Sequence, residues 1–549
     1  MSNTKLNKKI FEKEIGKTNE EMQNKIAMFG TPVERITDDE IEISVSPNRP
    51  DLLSYQGFKR SFLSFLGKTK AMKKYILNPP EKDFEVIIDS SVKNIRPFTA
   101  CAIVKDLKFD DDKIKEIIDI QEKLHATVGR KRKKLAIGIY PLEKIKLPIT
   151  FKALEPDKIK FIPLEMNREF SGLEILQRHP TGRDYAHLLA GKEKFPIFID
   201  ADNQILSMPP IINSHETGKI TEKTKDVFIE CSGFNFEILK KCLNIIATTL
   251  IDMGGKCYQM KLSGNYKEIT PNLNPEKMNL SLENTNKLLG LNLNEKELKN
   301  FVEKMGCNYE KGNVEIPAWR TDVLHEVDLI EDIAIAYGYE NFKEEIPDVS
   351  TIGEESKKET FKRKISDILS GLEFLEISNY HLTNTDDQFI KMGFSEKNLP
   401  EFVELEESKT DYKILRKDLT HYLMKIFSEN IDSEYPQKIF ETGKVFELKE
   451  NKIIEKEKLS IGISPGNFTE LKQVLEYFSK MLELNLELKE SEKEIPWFIE
   501  GRVAEIIFNK KTIGFIGEVH PKILKNWKIK MPVVLLELGL EEVFGKEGK

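Results

Sequence analysis

The sequence predicts an α+β protein of several domains. Its 549 residues exceed what one hydrophobic core organises, so roughly three or four domains are expected. Stretches that alternate apolar and polar residues, the mark of half-buried strands, recur along the chain between stretches of helical period. Two charged or polar, proline-bearing segments interrupt this pattern, near residues 76–83 and again after residue 346.

The N-terminal domain, residues 1–78, contains SVSPNRPDLLSYQGFKRSFLSFLG. Ile41, Ile43 and Val45 alternate as in a strand that Pro47 and Pro50 end, and Asp51 is read as the N-cap of a helix that turns Leu52, Leu53, Phe58 and Phe62 inward. The GKT at 67–69 is not a P-loop, because that motif needs glycine where Phe62 stands. Residues 82–262 form a mixed domain: EVIIDSSV, TACAIVKDL and KLAIGIY are strand-like, and DDKIKEIIDIQEKLHATVG is an amphipathic helix. Residues 268–346 open on ITPNLNPEKMNLSLENTNKLLGL, followed by a helix, a strand and an acidic helix. After the polar run DVSTIGEESKKE, residues 350–549 make a further mixed domain with strands in PQKIFETGKVFEL, GRVAEIIFNKKTIGFIGEV and MPVVLLELGL.

Several function classes drop out. No apolar run nears the length of a membrane span and the N-terminus is charged throughout, so the chain is expected to be cytoplasmic, with no membrane partner. Five scattered cysteines support neither a zinc knuckle nor a disulfide framework and read as small core residues. A net charge of -7 leaves nucleic-acid contact to local patches. One such patch is GRKRKK at 129–134, which reads equally as a solvated basic turn and as a phosphate contact.

The segment PAWRTDVLHEVDLIEDIAIAYGYENF, residues 317–342, holds a second candidate. At about 100° per residue, Asp328, Glu331 and Asp332 share the helix face opposite Leu329, Ile330, Ile333 and Ala334. Like charges at these spacings repel, and Ile335 sits oddly among them if water bathes that face. Asp322 lies just upstream on the turn. Two readings stand: an ordinary amphipathic helix with a wet face, or an all-oxygen site for a hard cation, Mg2+ before Ca2+.

That segment resembles the signature of the β subunit of phenylalanyl-tRNA synthetase, in its archaeal and eukaryotic form. SVSPNRPDLLSYQGFKR, LHATVGRKRKKLAIGIY, FPIFIDADNQILSMPPIINS, DVFIECSG, PQKIFETGKVFEL and GRVAEIIF with IGFIGEVHP resemble the same family, in order, over essentially the whole chain. The resemblance implies an N-terminal α/β segment, a B3/4-type editing domain, a B5-type domain of winged-helix-like, DNA-binding-like fold, and a class II synthetase-like domain lacking an active site. It implies an α2β2 heterotetramer with an α subunit that binds ATP and performs the aminoacylation of tRNA(Phe). Consistent with that division, the class II signatures that hold ATP are not recognisable in residues 350–549. The resemblance further implies Mg2+ ligation by Asp322, Asp328, Glu331 and Asp332, an editing pocket holding Ser207, Asn213 and Glu230, and tRNA backbone contact by Arg130, Lys131, Arg132, Lys133 and Lys134. After LAIGIY the family commonly shows His-Asp; here Tyr140 is followed by Pro141, which removes any role of that acid. The chain ends soon after LLELGLEEVFG, so the additional C-terminal anticodon-binding domain of bacterial relatives is not expected.

An apolar pocket rejects an isostere bearing one extra hydroxyl only about a hundredfold, so a phenylalanine enzyme gains from a second site that admits tyrosine and hydrolyses its ester. Glu230 is expected to meet the tyrosyl hydroxyl or the amine, with Ser207 and Asn213 orienting the ester or a water. His215 tempts as a general base but reads more simply as an exposed residue in a polar turn. Competing readings are a non-catalytic tRNA-binding scaffold and a free-standing trans-editing hydrolase.

Overall fold

A computed structural model describes residues 2–348 and 353–547. The chain divides into two compact units, 1–346 and 347–549. Residues 349–352 of the expected linker, the first residue of the domain expected from 350, and the Lys549 end lie outside the described residues. Among the described residues no helix is long and apolar enough to cross a membrane.

The first unit opens with a three-stranded antiparallel sheet in the order Ser2–Asn7, Glu40–Val45, Val33–Ile36. Helix Tyr55–Phe65 stacks Phe58 and Phe62 beneath Phe29. Its N-cap is Ser54, whose hydroxyl accepts from the Gly57 amide at 3.0 Å. Asp51 is therefore not the cap. It is fully buried and clamps Arg49 through two bonds of 2.9 Å, inside a short 3-10 turn that Pro50 starts.

A ten-stranded sheet dominates the unit. From one end it runs Ile212–Asn213, Ile205–Met208, Phe195–Ile199, Ile149–Leu154, Glu85–Ile88, Lys256–Gly264, Phe98–Lys105, Val227–Gly233, Leu135–Pro141, and the tenth strand, Glu268–Thr270, branches off Lys256–Gly264. Glu85–Ile88 pairs parallel with both neighbours and the other pairs are antiparallel. Helix Phe236–Asp252, apolar through its middle, packs on the sheet together with the amphipathic helix Asp111–Ala126. The sheet curls until its two ends meet, where the Tyr140 hydroxyl of the last strand lies 2.8 Å from Ser207 Oγ near the first. All five cysteines are buried and free, as expected of small core residues.

The unit closes with the antiparallel sheet Glu276–Asn279, Asn313–Ile316, Asn308–Glu310, covered by helices Leu282–Leu289, Glu295–Lys304 and Glu326–Tyr337. The second unit is a seven-stranded sheet around the long hairpin Gln437–Lys449/Lys452–Ser464, antiparallel except at its Leu375–Glu376 edge.

Within the second unit Arg416 and Glu441 form a fully buried pair at 2.6 Å, extended by Asn379 onto the same carboxylate. Removing one partner of such a pair leaves an uncompensated charge in the core. Glu441→Ala is expected to destabilise this unit by about 3–5 kcal/mol, read as a lower denaturant midpoint.

Candidate functional site

Strand Val227–Gly233 is buried along its whole length and flanked on both sides by other strands. Glu230 sits at its middle, opposite Cys101 on one neighbour and Gly138 on the other. The next inward residue on Gly138's strand is Tyr140, whose ring turns back across the glycine. A Cβ built on Gly138 would lie 2.1 Å from the Tyr140 oxygen and 2.7 Å from Glu230 Oε1, so only glycine leaves room. The Tyr140 oxygen lies 2.8 Å from Ser207 Oγ, 3.3 Å from Asn213 Oδ1 and 3.3 Å from Glu230 Oε1. The three expected pocket residues thus meet, joined by one hydroxyl.

Ser207, Asn213 and Glu230 line a cavity of about 480 Å³ whose apolar walls include Ile117, Ile137 and Ile211. Burial pushes the Glu230 carboxyl up to about 8, against the opposing pull of Arg96. It is therefore mostly protonated at neutral pH and can donate a hydrogen bond. Among the described residues its Oε2 has no hydrogen-bond partner. Burial also raises the Tyr140 phenol, which stays protonated.

The basic turn reaches the same cavity. Arg130, Lys131 and Arg132 are three consecutive non-glycine residues with left-handed backbones, φ 47, 54 and 63°. This twist swings Arg132 inward while Arg130, Lys131, Lys133 and Lys134 stay exposed. Arg132 donates to the Ile211 carbonyl at 2.8 Å and to Glu122 at 2.9 Å, and its guanidinium lies over the Tyr185 ring. His125 Nε2 accepts from the Ile137 amide at 2.8 Å, which leaves the proton on Nδ1 to face Glu122 at 3.3 Å. The His125 bond, then Arg132, hold the Glu122 carboxyl down at about 2. His215 borders the cavity but is exposed.

The acidic helix spans Glu326–Tyr337, and its acid face is not a wet one. Asp332 is buried, and Ile335 packs against the core that includes the N-terminal segment. Arg320 Nε and Nη2 clasp Asp322 at 2.8 and 2.7 Å, and Nη2 also reaches Asp332 at 2.9 Å. Asp328 caps the helix by accepting from the Leu324 and His325 amides at 2.7 and 2.8 Å. Burial lifts the Asp332 carboxyl above its usual range; Asp322, also buried, is held below it by Arg320. Asp322, Asp328, Glu331 and Asp332 line one cavity of about 140 Å³ with Arg49 and Asn48. Their oxygens suit a hard cation, yet among the described residues no three or more acidic, His or Cys side chains converge as a metal cage. Arg320 holds two of the four.

Family models match residues 92–246 (B3/4 domain), 278–339 (tRNA synthetase B5 domain) and 343–540 (phenylalanyl tRNA synthetase beta chain CLM domain). Together with the fold they define a mixed α/β multidomain chain of the aminoacyl-tRNA synthetase class. The phenylalanine–tRNA ligase beta subunit of Thermococcus sibiricus is 38% identical over 510 residues, 90% of each chain. That of Archaeoglobus fulgidus is 35% identical over 539 residues, 97% of each. The crystal structure of an N-terminal fragment of the phenylalanyl-tRNA synthetase beta subunit from Pyrococcus horikoshii, 36% identical, superposes with a TM-score of 0.59 over 61% of this chain and 99% of that one. The chain belongs to the family of phenylalanine–tRNA ligase beta subunits.

Two features of the pocket escape sequence reasoning. Tyr140 entered it only as a departure from a family pattern, and the hydroxyl that joins three side chains follows from sheet curl, which no local pattern encodes. Arg132 reads as one of five equivalent cations until the left-handed turn separates it. Because the Glu230 carboxyl is raised, the folded state binds its proton more tightly than the unfolded chain, so this group contributes less stability as pH rises from about 4.5 to 8. Glu230→Gln is expected to be more stable than wild type, with a melting-temperature gap that widens over that window and closes below it.

Proposed function

We propose that this chain acts as the beta subunit of a phenylalanine–tRNA ligase, supporting an alpha subunit that uses ATP to attach phenylalanine to tRNA(Phe), and that its own pocket hydrolyses mischarged Tyr-tRNA(Phe). The assembly is an α2β2 heterotetramer. The carrying observation is the cavity itself: isoleucine walls that suit an aromatic ring, ending in Glu230, Asn213 and Ser207. A protonated Glu230 donates to the tyrosyl oxygen, and phenylalanine leaves that buried group unpaired, which disfavours its binding.

In the hydrolysis a water adds to the ester carbonyl, the tetrahedral intermediate collapses, and the terminal ribose oxygen leaves with a proton. An ester needs a positioned water more than a strong base. Ser207 and Asn213 orient that water or the ester, while Tyr140 holds both from behind. Arg132 keeps the Pro210–Ile211 wall in place, and the exposed Arg130, Lys131, Lys133 and Lys134 face the tRNA backbone as one positive surface. Residues 82–262 then serve editing, 268–346 the acidic site, and 350–549 assembly with the alpha subunit.

Glu230→Ala in the reconstituted complex is expected to slow Tyr-tRNA(Phe) hydrolysis by about 10- to 100-fold while Phe-tRNA(Phe) formation is retained. Tyr140→Phe is expected to lower kcat for the same hydrolysis with little change in KM. Undiminished clearance in Glu230→Ala would leave the scaffold reading standing.

For the acidic cluster we infer Mg2+ held by Asp322, Asp328, Glu331 and Asp332, supported by four carboxylates on one cavity whose lining includes a single guanidinium, that of Arg49. Such an ion would supply structural charge balance, with Asp322 and Asp332 shared with Arg320. Mg2+ is expected to raise the melting temperature of wild type but not of Glu331→Gln. Equal curves with and without Mg2+ would assign the cluster to ion pairing alone.

A further inference from the structure

A second cavity, of about 340 Å³, lies apart from the editing pocket in the first unit. Its charged lining is Lys59, Arg60, Lys70, Lys73 and Arg320 against a single acid, Asp252. Lys59 is paired with Glu14 at 3.1 Å and Arg320 with Asp322 and Asp332, so the uncompensated charge lies with Arg60, Lys70 and Lys73 around that one acid. Asp252 is already saturated. It accepts from Arg60 Nη1 at 2.7 Å, from Lys73 at 2.6 Å and from the Tyr75 hydroxyl at 2.9 Å. Among the described residues the Lys70 ammonium makes no ion pair or hydrogen bond.

Arg60 supplies the decisive detail. Its side chain is 6% exposed, and its guanidinium lies 4.5 Å from the Trp319 ring centroid. Only Nη1 is engaged; Nε and Nη2 have no acceptor. Those two atoms form the edge of the guanidinium that takes an oxyanion through two parallel bonds. Within the same unit Arg49 uses that edge on Asp51, and Arg320 uses it on Asp322. In Arg60 the same edge is buried and, among the described residues, unmatched, and the cavity that Arg60 lines also holds the unpaired Lys70.

The geometry points to an oxyanion site here: a phosphate group, carried by a small phosphate monoester or by the end of an RNA chain, binds the Nε/Nη2 edge of Arg60 with Lys70 as its second cation. The hydroxyls of Ser61 and Thr69 also line the cavity and suit its remaining oxygens. The volume admits a phosphate with a small substituent and excludes a duplex.

The test titrates inorganic phosphate into the full-length chain at constant ionic strength, following tryptophan fluorescence, to which Trp319 in the wall contributes, and melting temperature. Wild type is expected to show a saturable change in both that chloride does not reproduce. Arg60→Lys keeps the charge beside Asp252 but loses the fork, and is expected to weaken binding about tenfold or more. Lys70→Ala, on a side chain that holds no other group, is expected to weaken it severalfold and decides the matter if Arg60→Lys fails to fold. Displacement by 5′-phosphorylated but not dephosphorylated tRNA would assign the phosphate to RNA; displacement by a nucleoside monophosphate alone would assign it to a small molecule. A response equal to that of chloride, or unchanged affinity in both variants, would overturn the site.

Discussion

A carboxyl group held in the middle of a ten-stranded sheet constrains everything around it. Glu230 lies on a strand whose seven residues are all buried, so its charged form has no water to turn to. The fold answers by keeping it protonated and surrounding one oxygen with groups that tolerate a proton on either side. For this the neighbouring strand must carry glycine at 138, the ring of Tyr140 must lie across that glycine, and the far end of the sheet must curl round to bring Ser207 and Asn213 within reach. The pocket is thus the closure of the sheet rather than a cleft cut into it. Ser207 and Asn213 come from one end of the hydrogen-bonding order, and Glu230 and Ile137 from the other.

The same economy governs the charged groups elsewhere in the first unit. Arg49, Arg60 and Arg320 are all buried, and each guanidinium is held by an aspartate: Asp51, Asp252, and the pair Asp322 and Asp332. Asp252 ends the long helix of the central domain while Arg60 belongs to the N-terminal helix, and Trp319 of the acidic segment packs between Arg60 and Tyr75. These contacts bind three successive stretches of chain into one compact unit. Stripping one partner from any of them would strand a buried charge, which is costlier than the pair is favourable. The acidic cluster therefore belongs to this network before it belongs to any ion.

Much of this was legible in the sequence. Alternation located the strand around Ile41–Val45, and helical period located Asp111–Ala126 and the acidic helix. The ordered family segments led to Ser207, Asn213 and Glu230, which the fold brings together. What failed did so for physical reasons. Asp51 looked like a cap because aspartate before a hydrophobic run usually is one, but a buried arginine two residues away competes better for the carboxylate than an amide does. The helical wheel leaves Asp332 open between a wet face and a cation site, because it knows nothing of what packs on that face. Arg132 could not be told from its neighbours until three left-handed residues in succession were seen. Each miss concerns a tertiary partner, and a single sequence carries no direct signal for one.

The end of the strand Leu135–Pro141 shows how such a partner sets the chemistry of the pocket without altering the fold. The strand Leu135–Pro141 is at the edge of the sheet, where proline costs no ladder bond, so Pro141 is tolerated and contributes no side-chain acid to the pocket. The polar contacts at this strand end come from Tyr140. A phenol has one proton to give and lone pairs to receive with; it gives the proton to Ser207 Oγ at 2.8 Å and faces Glu230 Oε1 at 3.3 Å, which leaves the carboxyl proton to Oε2, the oxygen with no partner among the described residues. The serine proton is then free to point into the cavity. Ser207, Asn213 and Glu230 thus share one hydrogen-bond partner, and a strand end without the phenol oxygen would leave three polar groups of the cavity with no common anchor.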